Sequence, residues 1–236
     1  MLDDTQVDSA LVITAHPDDV DFGAAGTVAL WVDAGIKVSY CVITDGDAGG
    51  FDPAVPRDQI GGIRQGEQRA AATEVGVSDV EFLGYPDGRL EVTMNLRRDL
   101  ARVIRQVRPQ RVICHSPLRN MERIPASHPD HLAAGEAAMC AIYPDARNPF
   151  THSEIADLEP WTVPETWVMG MERVNRYVDI TERFDRKLAA LRAHASQHPD
   201  PSRLDPLVRG WNGFNAQNGG LPDGRLAEAF WVFETG

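Results

Sequence analysis

Long apolar runs are missing from this 236-residue chain. No stretch approaches the ~18 consecutive apolar residues that a membrane span needs. Positive charge is scarce: 23 Lys and Arg stand against 35 Asp and Glu, for a formal net charge of −12. Nucleic acids and anionic lipid surfaces are both held by clustered Lys and Arg, so neither partner is expected. Cysteine is limited to Cys41, Cys114 and Cys140, widely spaced and without a CxxC pair, which excludes a disulfide framework. Cys41 and Cys114 fall inside apolar runs and are expected as buried free thiols of a reducing cytosol. The opening Met1-Leu2-Asp3-Asp4 is acidic, the reverse of a basic leader, so a cytoplasmic location is the expectation.

What is present is an ordinary globular composition, 43% hydrophobic and 25% charged, in which strand-like and helix-like segments alternate. Strands are predicted at Ser9–Thr14, Lys37–Thr44, Val80–Leu83 and Arg111–Cys114. Helices are predicted at Gly23–Ala34, Gln59–Val75 and Leu96–Val107, and over residues 129–142 with Pro129 in the first turn. Alternation of this kind builds parallel strands with right-handed helical crossovers. The expected fold is therefore α/β, a doubly wound, mostly parallel, Rossmann-like sheet with helices on both faces. Residues 143–165 carry Pro144, Pro149, Pro160 and Pro164 and read as an irregular excursion. Short strands at Thr166–Met169 and Tyr177–Ile180 follow, then a helix from an N-cap at Thr181 to Ala193. Residues 198–224, rich in Pro, Gly and Asn, read as loop, and Ala229–Phe233 as a last strand at an edge. The expected organisation is one domain over 1–236, with a core at 1–142 and a loop-rich extension at 143–236.

The polar residues fall at strand ends. His16, Asp18, Asp19 and Asp21 follow the first strand, Asp45 and Asp47 the second, Asp87 the third and His115 the fourth. In a parallel sheet these positions share the carboxyl edge, where ligand crevices form. The later cluster Ser127-His128-Pro129-Asp130-His131 adds two imidazoles and a carboxylate. His16, Asp19 and one later His make a set of nitrogen and oxygen donors suited to zinc, and also to iron or manganese. Asp18 could act as general base, the remaining His as general acid or oxyanion partner, and Asp130 could orient one of the later imidazoles.

Ala15-His16-Pro17-Asp18-Asp19, Gly23-Ala24-Ala25-Gly26-Thr27, Thr44-Asp45-Gly46 and His128-Pro129-Asp130-His131, in this order, resemble the PIG-L/LmbE-like zinc-dependent N-deacetylases. The resemblance implies a hydrolase that removes an N-acetyl group from an N-acetylglucosamine-type substrate, with one zinc ion per chain or another divalent ion such as Fe²⁺. It implies His16, Asp19 and His131 as metal ligands, Asp18 as general base, and His128 as oxyanion stabiliser or acid for the leaving amine, tuned by Asp130. Arg64 and Asp87 match sugar-contacting positions. Where family patterns such as Asp-Asp-x-Glu carry glutamate, this chain has the shorter Asp21. The expected partner is a small N-acetylated aminosugar or glycoconjugate, and homo-oligomers are common in the family.

Other readings remain open at this point. An amidase acting on a larger N-acyl group or a thiol conjugate would use the same constellation. Gly23-x-x-Gly26 opening a helix suggests a non-catalytic nucleotide- or sugar-binding protein, although G-x-G-x-x-G is incomplete and two carboxylates stand nearby. His115 reads equally as site-lining or structural, His194 as a helix-end residue, His152 as solvent-facing and Trp211 as a loop residue. The loops at 45–57, 116–127, 143–165 and 209–224 are expected to shape specificity.

Overall fold

The computed structural model describes residues 1–121 and 124–236. Five parallel strands form its centre: β1 (Ser9–Thr14), β2 (Lys37–Thr44), β3 (Asp79–Tyr85), β4 (Arg111–His115) and β5 (Glu165–Met169). Two further strands, β6 (Arg176–Asp179) and β7 (Ala227–Glu234), complete a seven-stranded sheet of order β3-β2-β1-β4-β5-β7-β6. β7 runs antiparallel to both of its neighbours. It is therefore internal and not the edge strand expected, because β6 pairs outside it. Chain order reverses between β1 and β4, and in an open α/β sheet that reversal opens a crevice beyond the strand carboxyl ends.

The central strands β1 and β2 read as near-continuous apolar runs because both of their faces are covered. Along β1 and β2, Ala10, Val12, Tyr40 and Val42 enter one buried cluster, while Leu11, Ile13, Cys41 and Ile43 enter the other. This is the two-residue alternation of a pleated strand. The helices are α1 (Asp19–Gly23), α2 (Ala25–Asp33), α3 (Arg57–Glu74), α4 (Met94–Val107), α5 (Pro129–Cys140), α6 (Phe184–Ala193) and α7 (Leu204–Asn218). In α4 the buried Leu96, Leu100, Val103 and Ile104 lie at helical spacing, and Thr93 accepts a hydrogen bond from the Leu96 N–H at 3.1 Å. Such a cap stabilises a helix by about 1 kcal/mol.

Several segments differ from the sequence reading for identifiable reasons. The helix expected at Gly23–Ala34 is split at Ala24, whose φ of −146° lies outside the helical region. A Cβ on Gly23 would stand 2.3 Å from Met169 Sδ, and one on Gly26 2.7 Å from Ile180. The two glycines thus permit close packing. Residues 204–218 are helix, not loop: Leu204, Val208, Asn212 and Ala216, four apart, form a buried stripe that offsets the low helix propensity of Gly210 and Gly213. Thr181 does not cap α6; its hydroxyl and N–H both bond the Asp179 carboxylate, and a short 3₁₀ turn, Thr181–Arg183, precedes the helix. His152 is buried against Asp145 at 3.3 Å, not solvent-facing. The excursion at 143–165 is organised by Arg105, whose guanidinium donates to the carbonyls of Asp145, Ala146, Asn148, Ile155 and Leu158. Among the described residues, no helix is long and apolar enough to cross a membrane. Of the loop at 116–127, Glu122 and Arg123 lie outside the described residues.

Candidate active site

The crevice at the β1–β4 reversal holds both histidine clusters. β1 delivers His16, Asp18 and Asp19, β4 ends on His115, and the first turn of α5 carries Asp130 and His131. Asp19 lies at the centre. Its carboxylate is 3.0 Å from His131 Nε2, 3.2 Å from His115 Nε2 and 3.3 Å from His16 Nδ1. It also accepts the His16 N–H at 2.7 Å. Among the described residues, three overlapping sets of ligand atoms each fall within 4.8 Å: His16, His128 and His131; Asp19, His115 and His131; and His16, Asp87 and Asp130. The expected ligands His16, Asp19 and His131 span the first two sets.

The opposite nitrogen of His16, Nε2, faces Asp87 at 3.0 Å and Asp130 at 3.2 Å. Asp130 is held in turn by the Gly88 N–H at 2.7 Å and the Leu90 N–H at 3.2 Å. The imidazole that the Asp130 carboxylate orients is thus His16, not one of the later pair as the sequence suggested. Its backbone N–H is what meets His128, at Nδ1 and 3.2 Å. His128 consequently acts as N-cap of α5, with Nδ1 occupied as an acceptor.

Asp18 occupies the left-handed region, with φ of 94°, a costly conformation for a residue with a Cβ. Its N–H donates to Gln68 Oε1 at 2.8 Å, and its carboxylate accepts from Arg64 Nη2 at 3.2 Å. Behind it, Asp21 accepts from Gln68 Nε2 at 2.9 Å and meets His194 Nε2 at 2.8 Å. Asp21, Gln68 and His194 are fully buried, so His194 is a bracing residue as well as a helix end. Arg64 also donates to the Gly46 and Pro17 carbonyls and stands 3.6 Å from Asp87. Both residues matched to sugar contacts, Arg64 and Asp87, therefore hold protein partners. Asp45 accepts from Gln65, and Asp47 from the Asp87 N–H. The sequence reading missed Gln65 and Gln68. The available signal was polar Arg64 and Gln68 on the same α3 stripe as Ile60 and Ala71.

The ionisation pattern is that of a site crowded with carboxylates. Burial opposes the charge on His16, but Asp19, Asp130 and Asp87 outweigh it and push the ring up to about 12. Burial and the neighbouring charge of Asp19 push Asp18 up to about 7, against the pull of Arg64. Asp19 is held well below the usual carboxylate range: burial is outweighed by His131, His115 and His16. Burial and the charge on His131 lower His115 to about 4. Burial and His16 lower His128, whereas Asp19 raises His131 despite its burial. Such a field requires positive charge. Nitrogen and oxygen donors converging beside surplus buried carboxylates fit a divalent cation, which supplies what protons on His16 and His131 otherwise supply.

The helix start that suggested a nucleotide site is already filled. Glu228 accepts from the Gly26 N–H at 2.9 Å and the Thr27 N–H at 2.7 Å, in the place a pyrophosphate would need, and pairs with buried Lys187 at 2.6 Å.

A family model described as PIG-L: GlcNAc-PI de-N-acetylase matches residues 11–142. The chain is 33% identical over 195 residues to the diacetylchitobiose deacetylase of Thermococcus kodakarensis, covering 82% of this chain and 72% of that one. It is 34% identical over 192 residues to a probable N-acetyl-alpha-D-glucosaminyl L-malate deacetylase 2 of Bacillus cereus, covering 79% and 82%. Among solved structures, the N,N'-diacetylchitobiose deacetylase of Pyrococcus horikoshii, complexed with its inhibitor MPG, matches with a TM-score of 0.89 at 29% identity, over 97% of this chain and 85% of that one.

Proposed function

The chain belongs to the PIG-L de-N-acetylase family, and from that premise we propose that it is a metal-dependent hydrolase removing the N-acetyl group of an N-acetylglucosamine-type substrate. The observation that carries the proposal is the Asp19 carboxylate lying within 3.3 Å of three imidazoles, beside a second carboxylate in a strained backbone. His16, Asp19 and His131 would hold the ion. Two imidazoles and a carboxylate suit zinc, and Fe²⁺ would fit the same donors. A divalent ion bound there lowers the pKa of a coordinated water and polarises the acyl oxygen.

The protein's own groups supply the rest. Asp18 takes the proton from the attacking water, and its raised pKa suits a base working near neutrality. The water oxygen bonds to the acyl carbon, and negative charge gathers on the former carbonyl oxygen. His128, with Nδ1 engaged by the Asp130 N–H, carries its ring hydrogen on Nε2 when neutral and donates it as a hydrogen bond to that charge. Asp18 passes its proton to the departing nitrogen, the C–N bond breaks, and the proton left on the former water oxygen moves to the amine, giving acetate and a protonated amine. Asp130 and Asp87 fix the His16 ring, and Arg64 and Gln68 hold Asp18 in place.

The test is amine release from a panel of N-acetylated aminosugars, with and without chelator. Turnover of at least one N-acetylglucosamine compound, abolished by chelation, is expected. Metal-replete, folded protein that releases amine from none of them would overturn the proposal.

A further inference from the structure

The reaction centre divides two chemically different flanks. On the β2–β3 side the strands end in Asp45, Asp47 and Asp87, with Arg64 across from them. On the β5–β7 side a cavity of about 390 Å³ opens directly from Asp19, His115 and His131. Its walls are largely apolar: Phe22 of α1, Met169 and Met171 at the end of β5, and Leu207 and Trp211 of α7. Asn212, Asn215 and Glu228 also line it.

The shape of this cavity depends on two local features. Gly23 lets Met169 close over α1, since a Cβ there would stand 2.3 Å from the sulfur. The α7 stripe that packs through Leu204 and Val208 turns Leu207 and Trp211 toward the opening, and Leu207 remains 64% exposed. Methionine side chains adapt to flexible apolar ligands at little cost. A volume of this size exceeds what an acetyl group fills and lies in the range that encloses a sizeable organic group.

We infer that this cavity is a substrate subsite for an apolar substituent on the aminosugar, so that the preferred substrate carries a hydrocarbon group beyond the bare N-acetylated sugar. The inference rests on the proposed deacylase activity. The sugar hydroxyls face the carboxylate-rich flank, and the hydrocarbon lies between Met171, Leu207 and Trp211. Two parts of a substrate could bring that hydrocarbon, a longer N-acyl chain or an apolar aglycone, and two substrate series separate them.

The experiment measures kcat/KM on the metal-loaded enzyme for N-acyl glucosamines from acetyl to octanoyl, and for alkyl N-acetylglucosaminides from methyl to octyl. One series is expected to rise by roughly two- to fourfold per methylene over its first members, as burial of hydrocarbon predicts. A rise in the acyl series assigns the cavity to the acyl chain, and a rise in the glycoside series assigns it to the aglycone. Leu207→Asp places a charge on an exposed wall residue and leaves the core intact; it should lower the octyl-to-methyl or octanoyl-to-acetyl ratio at least tenfold. Two flat or falling series overturn the inference while turnover of the N-acetyl compounds upholds the parent activity. Should no amine be released at all, calorimetric titration with the same glycosides still reads the cavity, and equal affinity for methyl and octyl forms then overturns it.

Discussion

Asp21→Ala is the most informative single change behind the reaction centre. Asp21 is fully buried, and its Oδ2 receives both His194 at 2.8 Å and Gln68 at 2.9 Å. Truncation leaves a buried imidazole and a buried carboxamide without their acceptor. Breaking a buried charged pair costs about 3–5 kcal/mol, and the orphaned amide falls within that sum. For a chain of this size each kcal/mol lowers Tm by about 2–4 °C, so a drop of roughly 6–20 °C is expected. The pH dependence has a definite sign. Burial opposes the charge on His194, but Asp21 outweighs it and raises the ring above 6.5. Stability from the pair is complete below pH 6.5 and disappears as pH rises through the raised folded-state value. The penalty of Asp21→Ala should thus be greatest near pH 6 and shrink toward pH 9. Below its melting range the variant should also lose kcat more than KM, because Gln68 would no longer be fixed against the strained Asp18 backbone. Melting by circular dichroism across that pH range is the assay. A penalty under about 1 kcal/mol, or one independent of pH, would refute the reasoning.

Asp18→Asn should lower kcat/KM by about 10²–10⁴-fold with metal content unchanged, read by amine release beside elemental analysis. In the wild type, activity should rise as pH climbs through the Asp18 pKa, at or below about 7 because a bound cation favours the ionised carboxylate; an acid limb above pH 8 would contradict the assignment. Gly26→Ala should destabilise by about 1–3 kcal/mol, since its Cβ meets Ile180 at 2.7 Å, and a neutral result in chemical denaturation would show that α2 can shift freely. Arg105→Met should cost about 3 kcal/mol or more and raise hydrogen exchange over residues 141–158, because five carbonyls each lose the guanidinium as a donor.

Much of this architecture was readable in the chain because its signals are local. Apolar β1 and β2, the Leu96–Ile104 stripe and Pro129 in a first helical turn each specify an element without help from elsewhere. The convergence of His16, Asp19, Asp87 and His115 followed from parallel strands alone, whereas His131 was placed with them by the resemblance. What was hidden depends on tertiary partners. The α7 stripe at Leu204, Val208, Asn212 and Ala216 is interrupted by Gly and Asn, and burial, not propensity, makes it helical. The position of β7 inside the sheet is decided by β6 pairing beyond it. Asp130 meets His16 across 114 residues of chain, a pairing no spacing rule reaches, although its neighbours in sequence are the later histidines.

The most direct test of a single-ion hydrolytic centre is titration of chelated, folded protein with Zn²⁺ while amine release from an N-acetylated aminosugar is followed. The account predicts no turnover in the metal-free protein and activity that rises to saturation at one equivalent per chain. Full activity before any metal is added would contradict it.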